Sequence, residues 1–380
     1  MKKLYWRPQR LSLRLLLLIA TVAGLALGAV ETVRVHEKQR WYHEKLQAAR
    51  LALRAFKALK DERLRRGLPI DAETDPARSG LIGELISPVT TNTGHLTAKQ
   101  TSINPNFAAV VVELLLRAGL KAGDTVAVGF SGSFPALNVA VLAALETLRL
   151  APVIITSAGA SQWGANQPSF MWPDMEMALV RWHIFSHRSV AASLGGIEDR
   201  ALGLSKKGRN LVRAAVARSG ITLLEVRNYD DSLNKRMELY RERAGDAEIK
   251  LYVNVGGGTT SVGTRVGRDL FSPGLNRRLP RGPQIDAVMT RFVQQGVPVI
   301  HLSKISKLAE QYGLEQQPRS LPAVGQGNTF FREAYSPWLA GGALLAIIAL
   351  LVGFLRLDWG HRLLAGKAHQ AEPARPEPMI

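Results

Sequence analysis

The chain has 380 residues, room for one large domain or two small ones, and no cysteine, so disulfides, thiolate metal sites and thiol nucleophiles are excluded. Its formal charge is +18, of which the terminal segments 1–30 and 356–380 carry +5 and +1 and the region between them +12. A basic surface of that size attracts polyanions or anionic lipid.

In chain order, the first feature is an uncharged apolar run at residues 15–30, preceded by Lys2, Lys3, Arg7, Arg10 and Arg14. It is slightly short for a span of roughly 20 residues, and Ala26 and Gly28 resemble a signal-peptide cleavage pattern. Because the next segment continues as a helix without a break, the expectation is a retained anchor over residues 1–30 with a basic cytoplasmic tip. Residues 31–70 predict an amphipathic stalk: residues 32–66 lack proline and glycine, and Leu46, Ala49, Leu53, Phe56 and Leu64 recur at helical spacing. The polar stretch "GLPIDAETDPARSG", residues 67–80, reads as a linker.

An α/β domain is expected over residues 71–336. "NPNFAAVVVELLLRAGL" predicts a helix, "DTVAVGF" a strand, "FPALNVAVLAALETL" a helix and "APVIITS" a strand. "DMEMALVRWHIF" and "SKKGRNLVRAAVARSG" are helical, followed by the strand "ITLLEV" and the helix "SLNKRMELYRERAG". The strand "IKLYVNV", the helix "PQIDAVMTRFVQQG", the strand "VPVIHL" and the helix "ISKLAEQYG" complete the pattern. Such alternation predicts a Rossmann-like, doubly wound and mostly parallel sheet of about five strands. Residues 337–356, "PWLAGGALLAIIALLVGFLR", predict a second transmembrane helix with Trp338 and Trp359 as interface anchors, and residues 357–380 a disordered cytoplasmic tail. Basic residues flank the outer ends of both apolar runs, which places both termini in the cytoplasm and the domain outside the membrane.

In an open parallel sheet, ligands bind beyond the carboxyl ends of the strands. Here those ends are rich in Gly, Ser, Thr and Asn: "GFSGSFPALN", "TSAGASQWGANQPSF" and "NVGGGTTSVGTRVGR". Ser131, Ser133, Asn138, Ser161, Gln162, Asn166, Gly257, Gly258, Thr259, Thr260 and Arg265 are the candidate ligand contacts, with Arg268, Arg277, Arg278 and Arg281 following. Backbone N–H groups at glycines and hydroxyl donors suit a carboxylate or phosphate. No G-K-[S/T] follows either glycine-rich turn, which argues against a nucleoside triphosphatase. His183 and His187 share a helix face but lack a third ligand, so no metal and no cofactor is expected. As the catalytic alternative, "GFSGS" approximates a nucleophile elbow at Ser131, with Asp230 and His301 following in the order of α/β-hydrolases, or Lys99 as the base.

The runs "SPVTTNTGHLTAKQTSINPNFAAVVVELLLRAG", "GDTVAVGFSGSFPALNVAVLAAL", "SAGASQWGANQPSFMWPDME" and "GLSKKGRNL" resemble the poly-gamma-glutamate system protein family. The resemblance covers roughly residues 80–330 and the flanking anchors. It implies a bacterial membrane protein that accompanies poly-γ-glutamate synthesis and export, without an established reaction. The expected partners are poly-γ-glutamate or another acidic polymer, the membrane and further subunits of the synthase or export complex, and not nucleic acid. The catalytic alternative then becomes a hydrolase or amide-transferase acting on γ-glutamyl bonds through Ser131.

Overall fold

The computed structural model describes residues 13–263, 265–282 and 285–356. The elements begin with α1 (Leu13–Thr32), β1 (Arg34–Lys38), α2 (Tyr42–Arg65), α3 (Leu96–Ser102), α4 (Phe107–Ala118), β2 (Thr125–Ser131), α5 (Pro135–Leu148) and β3 (Ala151–Ser157). Next come β4 (Asn166–Gln167), β5 (Phe170–Met171), α6 (Trp172–Arg181), β6 (Ala191–Ser193), α7 (Lys206–Arg218), β7 (Thr222–Leu223), α8 (Tyr229–Ala244) and β8 (Ile249–Val255). The last are α9 (Thr259–Val262), α10 (Arg265–Leu270), β9 (Gly274–Asn276), α11 (Val288–Gln294), β10 (Val299–Leu302), α12 (Ile305–Gln311), β11 (Phe331–Tyr335) and α13 (Pro337–Arg356).

Two compact units result, one built from both ends of the chain and one of Lys38–Phe331. In the first, β1 pairs with β11 and α1 lies against α13. Among the described residues, no helix is long and apolar enough to cross a membrane. The described side chains of these two helices cover residues 17–32 and 337–353. The predicted tail, 357–380, lies outside the described residues.

The second unit carries a seven-stranded sheet in the order β7-β6-β3-β2-β8-β10-β9. Every neighbouring pair is parallel except β9, which runs antiparallel along β10. Every residue of β2 is buried, as expected of a central strand covered on both faces. On one face, Val126, Val128, Phe130 and Ile154 join the main core with residues of α2, α4, α5 and α12. On the other, Ala127, Val153, Ile155 and Tyr252 pack with Leu233, Met237 and Tyr240 of α8 and Phe292 of α11.

The sequence reading differs from this fold in three places. Seven strands replace the expected five, because β6 and β9 have three residues each, too few to show a period. The predicted strand "ITLLEV" shortens to the two-residue edge strand β7. The predicted stalk is also not a separate element: α2 packs on α4, α5 and α6 within the α/β unit. Its Ala48, Ala52, Ala55, Phe56 and Leu59 are fully buried, and the small alanines let neighbouring helices approach closely. An apolar stripe on a helix looks the same whether it faces a partner stalk or a domain core.

Candidate functional site

From β2 the chain moves outward through β3, β6 and β7 on one side, then returns to place β8 and β10 on the other. The loops after β2 and β8 therefore diverge, which is where open α/β sheets form ligand crevices. The register sets what faces that edge. Ser131 aligns with Ser157, and Ser157 with Ser193, giving a row of three hydroxyls on one face. Two residues earlier, Gly129 aligns with Asn254, and Asn254 with His301.

Ser131 ends β2 and is 8 % exposed. Its Oγ accepts the N–H of Ser133 at 3.2 Å, and its carbonyl accepts Nδ2 of Asn138 at 2.9 Å. The two glycines around it have separate causes. A Cβ on Gly129 would stand 2.2 Å from the Tyr252 hydroxyl, so this position makes room for a neighbouring ring. Gly256, at the end of β8, has φ +82°, and a Cβ there would lie 3.5 Å from the Cβ of Ser131. The two divergent loops thus approach each other closely over Ser131.

The hydrolase arrangement is not assembled around Ser131. His301 sits on β10, two strands away, or roughly 10 Å at ordinary strand spacing. It is fully buried, and its Nδ1 lies 3.0 Å from Nδ2 of Asn254. Asp230 is exposed in the first turn of α8. Lys99, the other proposed base, reaches different serines.

Lys99 lies on α3 and is 3 % exposed. Its Nζ donates to the carbonyl of Ser133, lies 3.0 Å from Oγ of Ser161, and stands 3.8 Å from the centroid of the Phe134 ring. Oγ of Ser133 in turn accepts the N–H of Ser161 at 3.0 Å. The loops after β2 and β3 are therefore clasped by one lysine. Among the described residues no carboxylate forms an ion pair with it. Burial alone pushes its ammonium from the ordinary 10.5 down to about 7.

A second buried cation closes the opposite face of the same edge. Arg236 of α8 donates to Oδ2 of Asp199 at 2.7 Å and to the hydroxyls of Ser193 at 2.7 Å and Ser157 at 3.2 Å. Asp199 also accepts the hydroxyls of Ser193 at 2.5 Å and Ser232 at 2.6 Å. Burial pushes the Asp199 carboxyl up, but the Arg236 guanidinium and these hydroxyls outweigh it and hold the carboxyl below its ordinary range. The loop carrying it is strained: Glu198, Asp199 and Ala201 have φ of 51°, 61° and 52°, a region non-glycine residues rarely occupy. Sequence reading missed Asp199, Arg236, Ser157, Ser193 and Ser232. "SLGGIEDR" offered only a glycine pair before an acidic residue, and its partner lies 37 residues away.

The other candidates divide between the crevice and the framework. Gly257, Gly258 and Thr259 are exposed at the end of β8, and Thr260 is buried behind them. Asn166 is fully buried and serves the framework: its amide bonds Glu84 N and O and the Thr90 hydroxyl. Oε1 of Gln162 accepts the N–H of Gly94 at 3.0 Å, so this side chain also steadies a loop. The side chains of Arg265 and Arg268 lie outside the described residues. Arg277 follows the antiparallel β9 and donates to the carbonyl of Arg117 at the end of α4, away from the strand ends that form the crevice. Among the described residues no group of three or more His, Asp or Glu is arranged to hold a metal ion.

Comparison with protein-family models, with curated proteins and with solved structures yields no match.

Proposed function

We propose that this protein is a membrane-anchored accessory component of poly-γ-glutamate synthesis or export in a bacterial cell membrane. In this reading both termini are cytoplasmic, and the Rossmann-like α/β domain lies outside and binds the polymer's carboxylates. The observation that carries it is a row of cations on α2. Arg50, Arg54 and Lys57 recur at spacings of four and three residues, so they share one side of the helix, and all three are exposed. None forms an ion pair among the described residues, so their charge is available to an outside anion. A polymer with one carboxylate per repeat matches such a row, and the net +12 of residues 31–355 adds long-range attraction.

The exposed Gly257, Gly258 and Thr259 after β8 are the proposed contacts for individual carboxylates, with the buried Ser131 and half-buried Ser133 after β2 at their base. Membrane attachment is supported by the apolar composition of α1 and α13 and by exposed leucines such as Leu25 at 71 % and Leu345 at 68 %, which water solvates poorly. The small residues Gly341 and Gly342 in α13 suit close packing against a helix of a synthase or export subunit.

The test is equilibrium binding of poly-γ-glutamate to the full chain in detergent, across a salt series. Binding at low salt, weakening as salt rises, and weaker still in an Arg50→Ala, Arg54→Ala, Lys57→Ala triple variant, is the expected result. Absence of binding at low salt, or a triple variant that binds as tightly as the native protein, contradicts the reading.

A further inference from the structure

Two buried cations stand at the carboxyl edge of one sheet, and only one has a carboxylate. Arg236 is neutralised by Asp199 and its surrounding hydroxyls. Lys99 has instead a carbonyl, an aromatic face and a serine hydroxyl. The carbonyl of Ser133 and the ring of Phe134 fix two directions around its Nζ, and the third points at Ser161, 3.0 Å away. That hydroxyl has no other hydrogen bond among the described residues. Ser161 is itself 8 % exposed, and the flanking Ser133, Phe134 and Gln162 are half-buried.

We propose that Ser161 is a nucleophile for acyl transfer, with Lys99 as its general base. A hydroxyl held 3.0 Å from an amine that burial keeps substantially neutral near pH 7 is the geometry that lysine-activated serine chemistry requires. No carboxylate from α3, from α12 packed against it, or from the loops after β2 and β3 forms an ion pair with Lys99 among the described residues. Its ionisation is governed by burial alone.

The substrate class is an amide or ester. Lys99 takes the Oγ proton as Oγ of Ser161 bonds to the acyl carbon. The C–N or C–O bond then breaks while the Lys99 ammonium returns that proton to the departing amine or alcohol. A water gives a proton to Lys99 and adds to the acyl-serine, and the bond to Oγ breaks as Oγ regains the proton. The products are a carboxylic acid and an amine or alcohol, and Lys99 ends neutral. This inference does not rest on polymer binding and is tested with an uncharged reagent.

The experiment treats the full chain in detergent with an alkyl fluorophosphonate and maps the modified peptide. The expected result is one labelled residue, Ser161, with a rate that rises with pH through about 7. Labelling should vanish in Ser161→Ala, persist in Ser131→Ala and slow about 100-fold or more in Lys99→Met. No labelling of the native protein, label elsewhere than Ser161, or a native rate in Lys99→Met overturns the proposal. If Lys99→Met does not fold, the native protein still decides, since a rate flat between pH 5 and 9 equally overturns it.

Discussion

Arg236 and Lys99 occupy mirrored positions: both are buried, both touch serines at the ends of the central strands, and they lie toward opposite faces of the sheet. Arg236 belongs to the α8 side and makes two charge-assisted contacts to Asp199. Lys99 belongs to the side of Phe134 and the main core, with no charged partner among the described residues. A buried ion costs several kcal/mol to desolvate unless it is paired. Arg236 keeps its charge because Asp199 supplies that compensation, whereas Lys99 shifts its ionisation instead. The difference separates a group that holds the fold from one available for chemistry.

The largest effect expected from breaking this contrast is on the paired side. Arg236→Met leaves Asp199 buried without its cation and should destabilise the protein by about 3–5 kcal/mol, read by denaturant unfolding. A further Asp199→Leu substitution should recover most of that loss, because the unpaired charge is then gone. The strained backbone of residues 198–201 would also be freed from its anchor.

On the unpaired side the expected effect is smaller and depends on pH. The folded pKa of Lys99 lies below its ordinary value, so the unfolded chain binds more protons between about 7 and 10.5. The native protein should therefore gain stability as pH rises across that window, and Lys99→Met should lose that slope. The change between pH 7 and pH 10 is on the order of 3 kcal/mol, and the hydrogen bonds the variant also loses shift its stability equally at both pH values. Unfolding midpoints of both proteins at pH 7 and pH 10 check it.

Glu176 offers the anionic counterpart and the smallest effect. Burial raises its carboxyl from the ordinary 4.5 to about 7, although the Ser189 hydroxyl bonds it at 2.9 Å. Its folded pKa is raised, so its stabilisation is complete below pH 4.5 and is lost as pH rises through 7. Glu176→Gln should stabilise the protein at pH 8 by about 1 kcal/mol and leave it little changed at pH 4.5. Thermal unfolding at the two pH values would show no such difference between the two proteins if Glu176 were solvated.

Much of the fold was legible because β2, β3 and β8 are seven-residue, largely apolar runs and β10 lies in the apolar stretch "VPVIHL", all between amphipathic helices. The edges were less so: β6 and β9 have three residues each and are defined by their neighbours rather than by any period, and β7 was read as a strand but at three times its length. The candidate site shows the same division. Ser131, Ser161 and Lys99 stood out in sequence through their residue types and turns. Pairing Lys99 with Ser161 rather than Ser131 depends on a contact spanning 62 positions, which local pattern does not encode. The Asp199–Arg236 pair was missed for that reason, and because a buried arginine on an amphipathic helix looks like any exposed one.

The ionisation of Lys99 itself is the most direct measurement of the contrast between the two cations. Site-resolved NMR of the lysine side chains in the folded protein, with Lys99→Met assigning the resonance, reports it without relying on any ligand. The account predicts a midpoint near pH 7. A midpoint at the ordinary lysine value near 10.5 would show that Lys99 stays charged, and would contradict its role as a base.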